Sequence, residues 1–218
     1  MAIPVVALDE GKTILARPRN QPIYDTEGDN NAVALAISLN FFLNLAQFQV
    51  ANLSQGPAKV FGRDTNLEGT PGGTIPKGSI FLCYDLTTPQ SFRSTDLSTV
   101  GNVALFEEVA RLRKARYLTF KFADTPYFSE QLECIPQGVG IEAVMTTVAA
   151  QNVFPIKSGK NDRGNRRRMT VAGYPVVLTQ NEQFSINYGC YSDFQPTVTA
   201  EVYHTPTLHG LFIKGLQG

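Results

Sequence analysis

Tryptophan is absent, histidine occurs twice and cysteine three times in 218 residues. Each scarcity removes a class of chemistry. His204 and His209 lie five apart across the Thr205-Pro206 break, so they do not form the i, i+4 pair of a helical zinc motif, and no HxH pattern of the cupin type is present. Cys83, Cys134 and Cys190 are spread about fifty residues apart with no CxxC pair, and an odd count of this spacing predicts neither a zinc site nor a disulfide framework. A reducing site of synthesis is the expectation. No metal is expected.

Charge is also scarce: 17% of residues are charged, against an ordinary share of roughly 25%. Nineteen basic and nineteen acidic residues cancel, which excludes the strongly basic balance of a dedicated nucleic-acid coat and the acidic balance of disorder. Long apolar runs are missing too. The longest candidate membrane segment, from Ala32 to Val50, is interrupted by Asn40, Asn44, Gln47 and Gln49, so no transmembrane segment is expected. The opening Met1-Ala2-Ile3-Pro4 and the acidic pair Asp9-Glu10 do not read as a secretory signal.

Catalytic signatures are absent as well. A nucleophile elbow needs GxSxG, a P-loop GxxxxGK[ST] and a dinucleotide fold GxGxxG after a strand, and none occurs. Gly138-Val139-Gly140 is a bare GxG that a turn between strands explains. Glu107-Glu108 falls on a helical stretch, where a solvated face and pairing of Glu107 with Arg111 account for it. The expectation is no enzyme, no catalytic residue and no cofactor.

What is present is β patterning. Hydrophobic residues make up 43%, with 14 Phe and 8 Tyr to fill a core. From Val33 to Leu45 apolar residues share one parity, Val33, Leu35, Ile37, Leu39, Phe41, Leu43 and Leu45, the period of a half-buried strand. Further β segments are expected at Ser79 to Tyr84, Arg116 to Phe122, Tyr127 to Ile135, Ile141 to Val148, Thr170 to Leu178, Gln183 to Tyr188, Val198 to Tyr203 and Leu208 to Lys214. One α-helix is expected near 99–115, with Val103, Phe106, Val109, Ala110 and Leu112 at helical spacing. Pro4, Pro18 and Pro22 predict an extended N-terminal arm over 1–31 that neighbours order. Leu35, Ile37, Leu39, Phe41, Phe120, Phe122, Phe184 and Ile186 are the expected core. His204 is expected to close a strand and His209 to sit at the Gly210 turn.

One segment has no core pattern. Between 157 and 168 the chain carries six basic residues, Lys157, Lys160, Arg163, Arg166, Arg167 and Arg168, against Asp162 as the local acid. Contact with phosphate, in nucleic acid or lipid head groups, is one reading. Contact with a neighbouring subunit is another, and a solvated loop tip is the plain alternative. No aromatic is interleaved, so stacking on bases is not supported.

Some eight β segments, one inserted helix, Gly/Pro-rich loops and no catalytic motif make an all-β profile: a single jelly-roll sandwich spanning 1–218 with the arm at its start. The run Phe106-Glu107-Glu108-Val109 to Arg116, then Tyr117-Leu118-Thr119-Phe120-Lys121-Phe122 and Ile135-Pro136-Gln137-Gly138, followed by Thr179-Gln180-Asn181-Glu182-Gln183-Phe184 and Leu208-His209-Gly210-Leu211-Phe212-Ile213, resembles the jelly-roll virion proteins of tailless icosahedral bacteriophages. That resemblance covers about the last 120 residues. It implies a non-enzymatic capsid subunit, major, vertex or accessory, that self-assembles with copies of itself and other virion proteins. A carbohydrate-binding jelly-roll module is the alternative; the lack of Trp and the placement of Phe and Tyr in core-type patterns speak against it.

Overall fold

The computed structural model describes residues 4–6, 13–29, 38–43, 46–47, 58–67, 73–92, 110–123, 125–137, 141–143, 146–148, 151–153, 156–158, 166–170, 173–180, 182–191 and 202–215. Strands dominate them. In chain order they are β1 (Pro4–Val6), β2 (Thr13–Asn20), β3 (Ile23–Tyr24), β4 (Glu27–Asp29), β5 (Leu39–Phe41), β6 (Ser79–Thr87) and β7 (Gln90–Phe92). Residues 110–115 are α-helical and lead directly into β8 (Arg116–Phe122) and β9 (Thr125–Gln131). A 3-10 turn at Leu132–Cys134 precedes β10 (Ile141–Ala143), β11 (Thr146–Val148), β12 (Gln151–Val153) and β13 (Ile156–Ser158). The chain then forms β14 (Arg167–Arg168), β15 (Val176–Thr179), β16 (Phe184–Cys190), β17 (Val202–His204) and β18 (Thr207–Gly215).

Two sheets carry the fold. A seven-stranded sheet runs β1-β2-β18-β6-β14, with β15 also on β6 and β3 also on β18; a four-stranded sheet runs β5-β16-β8-β9. A three-stranded sheet, β4-β17-β7, lies beside them, and β10-β13 and β11-β12 are hairpin pairs. The principal strands of the two larger sheets nest. In the order β2, β5, β6, β8, β9, β15, β16, β18, the first pairs with the last, the second with the seventh, the third with the sixth and the fourth with the fifth, all antiparallel.

Alternation drives the packing. In β16, Phe184, Ile186 and Tyr188 are buried while Ser185 and Asn187 are half-buried on the other face, the period of a pleated strand with one face to a core. Leu118 and Phe120 of β8 and Phe41 of β5 point the same way, and they join Phe81, Cys83, Leu86, Leu178 and Leu208 of the seven-stranded sheet in one apolar cluster. The two sheets therefore share a core. Each fully buried Phe contributes about 1.5–3 kcal/mol relative to an exposed one. Gly210 allows the closest approach: a Cβ there would sit 2.0 Å from the Leu82 carbonyl oxygen and 2.8 Å from the Phe81 ring. The β18–β6 register shifts at this point, between His209 and Gly210.

The all-β expectation agrees with this architecture. Leu39, Phe41, Phe120, Phe184 and Ile186 are buried as expected, and Phe122 packs partly buried against the cluster; Leu35 and Ile37 lie outside the described residues. Of the helix near 99–115, the described part is 110–115, where Leu112 is buried. The arm over 1–31 needs correction. Within its described residues, Ala16 to Asn20 pair with β18, Ile23 and Tyr24 pair with the start of β18, and β4 pairs with β17. Proline did not exclude it from a sheet, because Pro18 lies in β2, opposite Ile213, without breaking the register. His204 ends β17 as expected, whereas His209 lies inside β18, not at a turn.

Candidate functional site

The basic segment is built against two strands. Lys157 lies in β13, in register with Glu142 of β10; Lys160 and Arg163 lie outside the described residues. Arg167 and Arg168 form β14, opposite Leu86 and Asp85 on β6. Three arginines therefore occupy three environments. Arg166 Nη1 lies 3.9 Å from Asp85 Oδ2. Arg167 donates from Nε to Glu130 Oε2 at 2.9 Å and from Nη2 to Glu130 Oε1, with Nη1 donating to the Arg168 carbonyl at 2.9 Å. Its guanidinium also lies 5.3 Å from the centre of the Phe128 ring. Arg168 is exposed.

Glu130 and Phe128 belong to β9 of the four-stranded sheet, so the Arg167 fork joins one sheet to the other. The two side chains are 36% and 30% exposed, and a bidentate pair so placed is worth about 1 kcal/mol. The C-terminal end of this segment is an edge strand with acidic partners. Those partners stand 37 residues away at Glu130 and on a different strand at Asp85, which no local pattern discloses.

Next to Arg166, His209 Nε2 and Thr87 Oγ1 lie 2.8 Å apart. Burial, with the Arg166 charge added, pulls the His209 pKa down to about 4, so the ring is neutral at pH 7. Thr87 is 3% exposed, and its hydroxyl meets the imidazole away from solvent. Among the described residues no group of three or more His, Cys, Asp or Glu is placed to hold a metal. Cys83, Cys134 and Cys190 are free thiols, buried, exposed and half-buried in turn. No described helix is long and apolar enough to cross a membrane.

Two further charge clusters went unnoticed in the sequence. Lys59 Nζ lies 2.9 and 3.0 Å from the two Asp25 oxygens and 2.5 Å from Glu27 Oε1, and all three side chains are wholly buried. The Phe42 amide donates to Asp25 Oδ2 at 2.7 Å from a backbone with φ of 69°, a left-handed conformation costly for an aromatic residue. Burial raises the Asp25 pKa, opposed by Lys59 and by the backbone N–H donors of Phe42 and Thr26. In the second cluster, Arg113 donates from Nη1 to Gln90 Oε1 at 3.0 Å and to Thr88, and from Nη2 to the carbonyls of Leu132, at 2.5 Å, and Ile135. It ties the 110–115 helix to the turn after β9. Beside it the Tyr188 hydroxyl is buried with no hydrogen-bond partner among the described residues, and burial raises its pKa against the opposing Arg113 and Arg116 charges.

These arrangements hold elements together rather than open a cleft. No family model, curated protein or solved structure matches this chain.

Proposed function

We propose that this chain is a jelly-roll subunit of an icosahedral virion shell, acting by self-assembly. The observation that carries the reading is the nested pairing of first strand with last, second with seventh, third with sixth and fourth with fifth across two sheets that share one core. A long hairpin rolled on itself would give that order, which supports reading the fold as a jelly roll of the kind found in capsid, lectin and cupin domains. Fold alone does not select a function among these. Resemblance to the virion proteins of tailless icosahedral bacteriophages favours the shell. So does the disposition of charge: Lys59, Arg113 and Arg167 are spent inside the subunit, as befits a scaffold. Its partners are then copies of itself and other virion proteins, and its location is the virion, after synthesis in a host cytoplasm. Among the described arginines of the basic segment, Arg168 is the exposed one, available to a neighbour, nucleic acid or lipid head groups.

Size-exclusion chromatography with light scattering, followed by negative-stain electron microscopy over a concentration and salt series, tests the reading. Symmetric oligomers, sheets or particles are expected. A monomer at every concentration and salt overturns it, and sugar binding by that monomer would favour the carbohydrate-binding alternative.

A further inference from the structure

The two larger sheets end in four edges, and three of them are guarded against further pairing. β1 opens on Pro4, which has no N–H to offer. β5 is three residues long. β9 begins Thr125-Pro126, and its register with β8 skips from Phe128 to Pro126, leaving Tyr127 as an extra, bulged residue. Short strands, prolines and bulges are how sheet edges avoid joining other chains.

The fourth edge is divided. Its β14 half carries Arg167 and Arg168 with Arg166 beside them. Its β15 half reads Val176-Val177-Leu178-Thr179, with no charge, proline or glycine, in unbroken register with Cys83 to Ile80 on β6. Among the described residues no strand pairs with the other side of β15. The sheet surface next to it is apolar: Val177, Leu82 and Leu211 form one cross-strand row, and Ile80 with Ile213 the next. An edge of this kind is a template for another extended backbone.

We infer that β15 is the edge through which the subunit joins a second copy of itself, two β15 strands pairing antiparallel across a two-fold axis with Val177 opposite Val177 of the other copy. The inference rests on the self-assembly reading above and names the contact. Charge selects the occupant. Exposed Glu182 lies beyond Thr179 at one end of the strand, while Arg168 occupies the same side of β6 beyond the other end, in register with Asp85 where Val176 is in register with Cys83. Antiparallel two-fold pairing sets the Glu182 end of each copy beside the Arg168 end of the other. The contact is isologous, so each complementary pair occurs twice.

Amide hydrogen exchange on the full chain, assembled and diluted to monomer, reads the contact directly. Protection at 176–179 is expected to rise by roughly tenfold or more on assembly. Val177→Lys places a charge on the outer face and is expected to leave the melting midpoint near wild type while weakening association about tenfold in sedimentation. Because that variant touches a half-buried site, an exposed pair supplies the second arm: Arg168→Glu should weaken association about five- to tenfold, and adding Glu182→Arg to the same chain should restore it. If the wild type assembles but the 176–179 amides gain no protection and the charge swap does not rescue, the β15 contact is wrong and the shell reading stands. If the wild type never associates, both fall.

Discussion

Replacing Lys59 by Met probes a charge whose side chain is wholly buried. Lys59 touches both Asp25 oxygens and Glu27 Oε1 from a side chain with no exposure. Met preserves most of the volume and removes the cation, leaving two buried carboxylates without it. Breaking a buried pair by deleting one partner costs about 3–5 kcal/mol. Against a typical total of about 5–15 kcal/mol, that is a large share. With a urea m-value of about 2.5 kcal/mol/M, the unfolding midpoint at pH 7 should fall by about 1–2 M. The loss should also depend on pH, and its sign follows from Asp25. Burial already raises the Asp25 pKa, and Lys59 is the first opposing influence, so the variant raises it further. A group whose folded pKa is raised stabilises below its unfolded value and loses that contribution as pH rises through the folded value. The Lys59→Met deficit should therefore shrink as pH is lowered toward 4, where Asp25 takes a proton and its charge need not be buried. Urea melts of both proteins at pH 7 and pH 4 measure this. A deficit below about 0.5 kcal/mol at pH 7, or one of equal size at both pH values, would refute the reasoning.

Phe120 is fully buried against Phe128 with ring centroids 6.0 Å apart, and Phe120→Ala should cost about 3–5 kcal/mol in the same urea assay; an unchanged midpoint would place it outside the core. Gly210→Ala forces a methyl to within 2.0 Å of the Leu82 carbonyl, and is expected to open the β18–β6 ladder, read as faster amide exchange in both strands. His209, with a pKa lowered to about 4, binds fewer protons folded than unfolded, so stability should decline as pH falls from about 6.5 toward 4; His209→Gln should flatten that part of the stability curve. Tyr188→Phe removes a buried hydroxyl that has no partner among the described residues, and a change within about 1 kcal/mol of wild type is expected. A loss of 2 kcal/mol or more, the size expected when a satisfied buried group is removed, would show that the hydroxyl is bonded.

Strands with one buried face were legible because their period is local. Phe184-Ser185-Ile186-Asn187-Tyr188 alternates in sequence as it does in burial. The edge strand was less so. A strand was expected from Thr170 to Leu178, whereas the described strand there is Val176–Thr179, preceded by Gly173 with a φ of 87° and by the Met169 amide donating to the Tyr84 carbonyl. The N-terminal residues failed for the opposite reason. Proline was weighed against a strand, although it is tolerated where its missing N–H faces away from the ladder.

The charged residues show why a basic run reads as a surface feature even when it is not. Local spacing reports how many cations follow one another but not which strand lies opposite, and the opposing acids come from distant segments: Asp85 from β6, Glu130 from β9. The same blindness hid Lys59, an isolated lysine between Ala58 and Val60, whose two carboxylate partners fall 34 and 32 residues earlier. Arg166, Arg167 and Arg168 are consecutive, yet only one is paired by a fork that joins the two sheets, and only one is exposed. Replacing all three together would therefore mix a loss of internal clamping with a loss of outward charge. Changing Arg167 alone addresses the stability of the sandwich, and changing Arg168 alone addresses what the subunit meets; the fold gives adjacent residues in the chain these separate roles because alternate positions of a strand face opposite ways.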